Sequence, residues 1–452
     1  MRVPTVVAGV LLAAGLLFGS VLRPLATGDL PARRVVLISI DTLRADRLGS
    51  YGAARPTSPA LDALARGGTR FASCVAPAPW TPPSHVAMLT GLYPSRNGVQ
   101  AVTDQLRPGV ATLPGEMRAR GFQTAAVVAS DLVIPCTRCR QDFDSVTEIP
   151  SRGDQANGGP VVVDSGEDVT KAAVDWLRMR GARDRFLLFL HYYDVHSDYR
   201  PRPAIALRFG ADPRDLEPGN NRFLIDNRMN ADLPRPAVEQ MRRLYDGEIR
   251  QLDEILRGLF HFLQAHGLWE GTLIVVTADH GEEFLEHGGL LHGRTLYEEL
   301  LHVPLILSGP GIPRGRVVPN VVSLVDIAPT ILEAVGVSGG TSLDGHSLMP
   351  LLADDDRSWQ NRAASEADQE HRKRMLRAGN LKLIEDRSSG AELYDLAADP
   401  EERHNLAADR PAAVADLARA LQRTLPASAP HAPEHLSDEA RQRLKALGYL
   451  DE

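Results

Sequence analysis

The chain has 452 residues, 43% apolar and 24% charged, an ordinary balance for a globular protein with a large buried core. At roughly 100–200 residues per domain, it has room for two or three domains, or for one large α/β domain with an addition. Its formal net charge of −8 argues against a nucleic-acid binder, which needs a basic face to neutralise phosphates.

Taken in chain order, Arg2 precedes an uncharged run from Val3 to Leu22, of the length that spans a bilayer. Residues 1–28 therefore read as a signal peptide or an N-terminal membrane anchor. Pro24-Leu25-Ala26 is a fair cleavage site, and no cysteine follows closely enough to mark a lipoprotein. An exported protein is expected, periplasmic or membrane-anchored and extracytoplasmic, with membrane association through residues 3–22.

Val35–Ile40 is a compact apolar run that ends in Asp41 and reads as a buried strand. Leu273–Ala278, ending in Asp279-His280, is a second such run, and Thr124–Ala129, Phe186–Leu190 and Val303–Leu307 are others. Helical stretches lie between them at Ser58–Arg66, Ser84–Thr90, Val169–Arg180 and Ala237–His266. This alternation predicts an α/β fold with a large, mostly parallel sheet sandwiched by helices. Ligands bind such sheets beyond the carboxyl ends of the strands, where Asp41 and Asp279-His280 are placed.

Pro201–Pro236 has no clear period and is expected to be a long loop or insertion over the site. Ala353–Asp368 is acidic and expected to be a loop-like boundary. Beyond it, strands near Asn380–Glu385 and Glu392–Leu396 and a helix at Pro411–Thr424 predict a small C-terminal α+β subdomain. Ala427–Leu436 reads as a linker and Ser437–Leu450 as a short terminal helix. The expected organisation is a leader at 1–28, a catalytic domain at 33–355, a small-sheet subdomain at 369–425, and a linker with terminal helix at 426–452. Of the three cysteines, Cys136 and Cys139 form a C-x-x-C pair best read as a local disulfide outside the cytosol, which leaves Cys74 buried.

The chemistry is concentrated in segments far apart in the chain. Asp279 and His280 at one strand tip suit a hard divalent ion with mixed oxygen and nitrogen ligands, and Asp41 at another tip can join them. Thr81-Pro-Pro-Ser84-His85 opens a helix whose dipole and free N–H groups favour an anion. A threonine hydroxyl there, its pKa lowered by a metal, is a competent nucleophile. His196 and His292 lie in polar segments near strand ends, where they can hold a phosphoryl or sulfuryl oxygen or protonate a leaving group.

Together these segments resemble the sulfatase family of the alkaline phosphatase superfamily. The likeness covers nearly the whole chain after residue 33. It is carried by Asp41-Thr-Leu-Arg-Ala-Asp-Arg-Leu-Gly-Ser-Tyr-Gly52, Thr81-Pro-Pro-Ser-His-Val-Ala-Met-Leu-Thr-Gly91, Thr277-Ala-Asp-His-Gly-Glu282 and Leu291-His-Gly-Arg-Thr-Leu-Tyr-Glu298. Asp326-Ile-Ala-Pro-Thr-Ile-Leu332, Asp344-Gly-His-Ser-Leu348 and Glu392-Leu-Tyr-Asp-Leu396 agree. The resemblance implies one divalent metal ion (Ca, Mn, Mg or Zn, with Ca or Mn favoured) held by Asp41, Thr81, Asp279 and His280. It implies catalytic roles for Thr81, His196 and His292, and substrate contacts from His85, His196 and His292.

Three departures stand out. The family's formylglycine is made from Cys or Ser, and here the position is Thr81. His85 replaces an arginine, and Thr42 replaces a second aspartate. Thr81 and the lone Asp41 look instead like the family's phosphoethanolamine and phosphoglycerol transferases. Threonine cannot yield the aldehyde, so the expected reaction is double displacement through a Thr81 adduct, with phosphate esters weighted somewhat above sulfate esters. The expected substrate is a sulfated or phosphorylated small molecule, glycan or lipid. The alternatives are a phospho-headgroup transferase acting on a cell-surface glycan or lipid, and a non-catalytic binding protein on the same fold. The oligomeric state is left open.

Overall fold

The computed structural model describes residues 31–130, 133–134, 136–149, 165–337, 342–367 and 373–425. The leader 1–28 and the terminal helix Ser437–Leu450 lie outside them. Among the described residues no helix is long and apolar enough to cross a membrane.

The Val35–Ile40 run forms β1 (Arg34–Ile40), which is buried at every residue. Such a strand needs neighbours on both sides and cover on both faces. Its sheet also contains β2 (Thr69–Val75), β3 (Gln123–Val128), β4 (Ser145–Glu148), β5 (Phe186–Tyr192) and β6 (Thr272–Thr277). A two-stranded ladder of β7 (Glu283–Phe284) and β8 (Leu290–Leu291) follows, then β9 (His302–Ser308) and β10 (Arg316–Ser323) return to the main sheet. The spatial order is β10-β2-β9-β6-β1-β5-β3-β4. Only β9 runs antiparallel to its neighbours, β2 and β6. Helices Pro59–Gly67, Gly166–Arg178 and Arg235–Ala265 flank the sheet. This is the mostly parallel α/β fold expected from the pattern.

Three strands of the main sheet were not legible in the sequence. β4 has no fully buried residue and β10 contains Pro319, as suits the two edges of the sheet, where a missing N–H breaks no ladder. β2 alternates only partly between buried and half-buried positions. The expected loop at 201–236 carries helices Pro203–Arg208 and Asn221–Asp226 and a 3₁₀ turn at Glu217–Gly219. Each spans less than two turns, too short for a hydrophobic period to register. Cys136 and Cys139 are joined in a disulfide, and Cys74 is a free buried thiol.

The expected boundary loop likewise holds a strand, β11 (Arg362–Ala367). It opens an antiparallel sheet with β12 (Lys373–Ala378), β13 (Leu381–Asp386) and β14 (Gly390–Asp395), covered by helix Pro411–Thr424. Leu376, Leu383, Leu393, Leu417 and Leu421 pack together with Ala87 and Tyr93 of the segment that starts at Thr81. The small sheet therefore buttresses the helix that carries Thr81.

A buried ionic cluster joins the two sheets. Lys382 is fully buried, with Nζ 3.0 Å from Glu298 Oε1 and 2.8 Å from Glu402 Oε1. Burial alone would strip its proton, but Glu298 and Glu402 hold it charged. Arg377 binds the other Glu298 oxygen at 2.9 Å. Lys382→Met strands Glu402 without a cation, so it is expected to destabilise the protein by about 3–5 kcal/mol. A urea unfolding midpoint measures this. A loss under about 1 kcal/mol would mean that the cluster only offsets its own desolvation.

Candidate metal centre and active site

β5 and β6 both run parallel to β1, so their carboxyl ends meet at one edge of the sheet. Asp41 follows β1, His191 is the sixth residue of β5, and Asp279-His280 follow β6. Asp41 N donates to Tyr192 O at 2.9 Å, which holds the end of β1 against β5. The chain then turns through Thr42 at φ 56°, a conformation that is strained for a β-branched residue. Three hydrogen bonds hold it there: Thr42 Oγ1 to Val195 O at 3.0 Å, Tyr245 Oη to Thr42 O at 2.7 Å, and Thr42 N to Asp279 Oδ1 at 3.4 Å.

Helix Thr81–Thr90 is buried along its whole length and ends at Gly91, whose left-handed backbone (φ 68°) stops it. Pro82 and Pro83 start it without wasting a hydrogen bond. Ser84 Oγ donates to Asp279 O at 2.6 Å, tying the helix start to the end of β6. Thr81 Oγ1 thereby lies 3.2 Å from His280 Nε2 and 3.5 Å from Asp41 Oδ2. Gly281 is required: a Cβ there would sit 1.9 Å from Glu299 O.

The residues fit a divalent cation. Asp41 Oδ1 and Asp279 Oδ2 are buried oxygens that accept no hydrogen bond, a costly state unless a cation meets them. Ligand atoms of Asp41, Asp279 and His280 lie within 4.8 Å of one another. His280 Nδ1–H donates to Gly281 O at 2.9 Å, which leaves the Nε2 lone pair facing the carboxylates.

The electrostatics agree. Burial and the Asp41 charge raise the Asp279 carboxyl well above its usual range. Asp41 is opposed by burial too, but the His191 hydrogen bond and the nearby His196 and His280 hold it well below that range. Carboxylates that repel this strongly are the pair a divalent cation neutralises. Burial and His292 depress His280 well below its ordinary value, keeping it as the neutral imidazole a metal takes.

The other histidines divide. Burial depresses His196; its Nδ1–H donates to Ser197 O at 2.9 Å and its Nε2 lies 3.2 Å from Tyr193 Oη. Burial also lowers His292, but the Glu282 carboxylate more than restores it, and its pKa is raised. The His292 ring lies 4.4 Å from that of His280 and 5.1 Å from that of His196. His85 was expected to touch substrate. Instead, its Nδ1–H donates to Thr81 O at 2.9 Å and its Nε2 accepts from Ser39 Oγ at 2.8 Å. Burial and His191 push its pKa down to about 3, so it is a neutral brace behind Thr81 and Asp279.

His191, whose Nε2 lies 3.2 Å from Asp41 Oδ2, was not among the expected site residues. The signal was its place at the end of an apolar run, as with Asp41. Glu282 was not among the expected site residues either; its partners are Tyr199, 83 residues away, and His292, 10 residues away.

The chain is similar to known proteins in sequence and in fold. A family model described as Sulfatase matches residues 33–337, and one described as N-sulphoglucosamine sulphohydrolase, C-terminal, matches residues 286–429. Arylsulfatase K of Mus musculus is 25% identical over 435 residues, covering 84% of this chain and 77% of that protein. Arylsulfatase K of Gallus gallus is 34% identical over 201 residues, 42% of this chain and 37% of that one. The phosphonate monoester hydrolase of Agrobacterium radiobacter aligns with a TM-score of 0.73 at 22% identity, covering 87% of this chain and 95% of that one. A structure solved in complex with its substrate D-glucosamine-2-N,6-O-disulfate aligns with a TM-score of 0.72 at 21% identity, over 88% and 98%. The first family model spans more than half of the sequence, and the chain belongs to the sulfatase family of ester hydrolases.

Proposed function

We propose that the protein is an exported hydrolase of sulfate or phosphate esters that works by double displacement through Thr81. The observation that carries this is the position of Thr81 Oγ1, at the start of a buried helix and within 3.5 Å of both Asp41 and His280. Asp41, Asp279, His280 and Thr81 would hold the divalent ion, Ca or Mn by family likeness, which supplies Lewis-acid polarisation of the ester and of the attacking hydroxyl.

Thr81 Oγ1, its proton released to solvent, attacks the sulfur or phosphorus. The ester oxygen leaves with its bonding pair and takes a proton from His292, while His196 borders the transferring group. Water then attacks the Thr81 adduct and gives a proton back to His292; the bond to Thr81 Oγ1 breaks, its pair staying on that oxygen, and sulfate or phosphate is released. A formylglycine hydrate can expel sulfate by collapsing to an aldehyde. The methyl-bearing threonine carbon has no such exit, so attack of water on the adduct is required. Thr81 and the lone Asp41 keep the likeness to the family's phosphoethanolamine and phosphoglycerol transferases, whose acceptor alcohol would take the place of water.

The relatives' names make aryl sulfates, sulfated sugars and phosphonate esters the substrate classes to try. The metal-loaded protein should be assayed side by side on 4-nitrophenyl sulfate, 4-nitrophenyl phosphate and bis-4-nitrophenyl phosphate. Turnover of a phosphate ester above the sulfate is expected, because phosphorylated threonine is cleared by water attack at phosphorus. A preference of about tenfold or more for the sulfate, worth about 1.4 kcal/mol, would overturn the argument from the missing aldehyde.

A further inference from the structure

Glu282 is fully buried, and its carboxylate meets two donors, one 83 residues away in the chain and one 10 residues away. Tyr199 Oη donates to Oε2 at 2.7 Å, and His292 Nδ1–H donates to Oε1 at 2.8 Å. The backbone around it is fixed: Glu282 N donates to Glu299 O at 3.1 Å, and Arg44 Nη1 donates to Glu282 O at 2.9 Å. Arg44 is itself gripped by both Asp46 oxygens at 2.9 Å and by Glu286 at 2.9 Å. Tyr199 is wedged between the rings of Tyr245 and Phe284, 5.5 and 5.9 Å away. A buried carboxylate is expensive unless its oxygens are satisfied. Here that cost is met by donors that do one further thing.

We propose that Glu282, steadied by Tyr199, is the positioning residue of His292. The carboxylate fixes the hydrogen on Nδ1 and locks the ring orientation, leaving Nε2 as the nitrogen that can turn to the substrate. When the ester bond breaks, the bonding pair goes to the leaving oxygen and the proton of Nε2 goes with it. Glu282 keeps its place and stabilises the imidazole from the far side without itself touching substrate. Glutamine cannot reproduce this: the two donors bond different oxygens, and in glutamine one of those positions becomes an NH2 donor, so both bonds cannot be kept.

This rests on the reading of His292 as the proton donor, and the experiment separates the two. Turnover of phenyl and 4-nitrophenyl phosphates, with the matching sulfates, is measured for metal-loaded Glu282→Gln, Tyr199→Phe and His292→Gln, together with metal content. A poor leaving group needs the proton and a good one does not. Glu282→Gln is therefore expected to lose about 10²-fold in kcat on the phenyl ester and less than about fivefold on the 4-nitrophenyl ester, with metal retained. Tyr199→Phe should tilt the same way by about tenfold, which carries the test if Glu282→Gln folds poorly. Equal losses on both esters, or loss of the metal, would overturn the assignment of Glu282. If His292→Gln tilts and neither Glu282→Gln nor Tyr199→Phe does, Glu282 fails and His292 stands. If His292→Gln is flat, the proton-donor reading fails and the inference with it.

Discussion

Thr81→Ala should lower kcat by about 10⁴-fold or more on whichever ester the protein prefers, with the fold and the metal content intact. The alanine keeps the helix start, since Pro82, Pro83 and the Ser84 bond to Asp279 O do not involve the Thr81 hydroxyl. What goes is the oxygen 3.2 Å from His280 Nε2. Thr81→Ser restores a hydroxyl at the same place and should recover all but about 10²-fold, the remainder reflecting the lost pre-set rotamer of the β-branched side chain. Rapid quenching of the wild type with a slow substrate should trap a phosphoryl or sulfuryl group on the peptide that contains Thr81. If Thr81→Ala stays within about tenfold of wild type, water attacks directly and the double displacement is wrong.

Asp279→Ala should abolish stoichiometric divalent metal and lower kcat/KM by about 10³-fold or more. At this centre Asp279 and Asp41 each supply one buried oxygen that accepts no hydrogen bond, and Asp41 cannot compensate because His191 already occupies its Oδ2 at 3.2 Å. Chelation of the wild type should mimic the variant, and added Ca or Mn should restore the wild type only. Stability gives an independent readout. A metal at a thousandfold above its Kd should stabilise the wild type by about 4 kcal/mol and leave Asp279→Ala unmoved. Metal bound at wild-type stoichiometry in Asp279→Ala would place the ion elsewhere.

Much of this centre was legible before any coordinates. Asp41, Thr81, Asp279 and His280 each sit at an element end with a local signature, a carboxylate after an apolar run or a hydroxyl before Pro-Pro. Such signatures depend on neighbours in the chain. His85 shows the limit of that reasoning. It sits in the motif beside Thr81, but the helix turns it toward Ser39 and the Thr81 carbonyl, so its work is support. Glu282 shows the converse: it closes the Thr277–Glu282 motif without a role of its own, and only the fold brings Tyr199 to it and turns His292 onto its carboxylate. β4 and β10 were hidden because edge strands need neither a continuous apolar run nor a full set of N–H donors.

By itself, then, the sequence determined the α/β class, the central buried strands and the residue types at their tips, because hydrophobic period and helix-start chemistry are local properties. Only the tertiary structure decided that β1, β5 and β6 run parallel side by side, so that Asp41, His191 and Asp279-His280 converge on Thr81. It alone decided which histidine stays neutral and which is raised toward its charged form. Those states are set by burial and by carboxylates that only the fold aims at each ring, whether from 10 residues away, as Glu282 at His292, or from the far end of the domain, as Asp41 at His280.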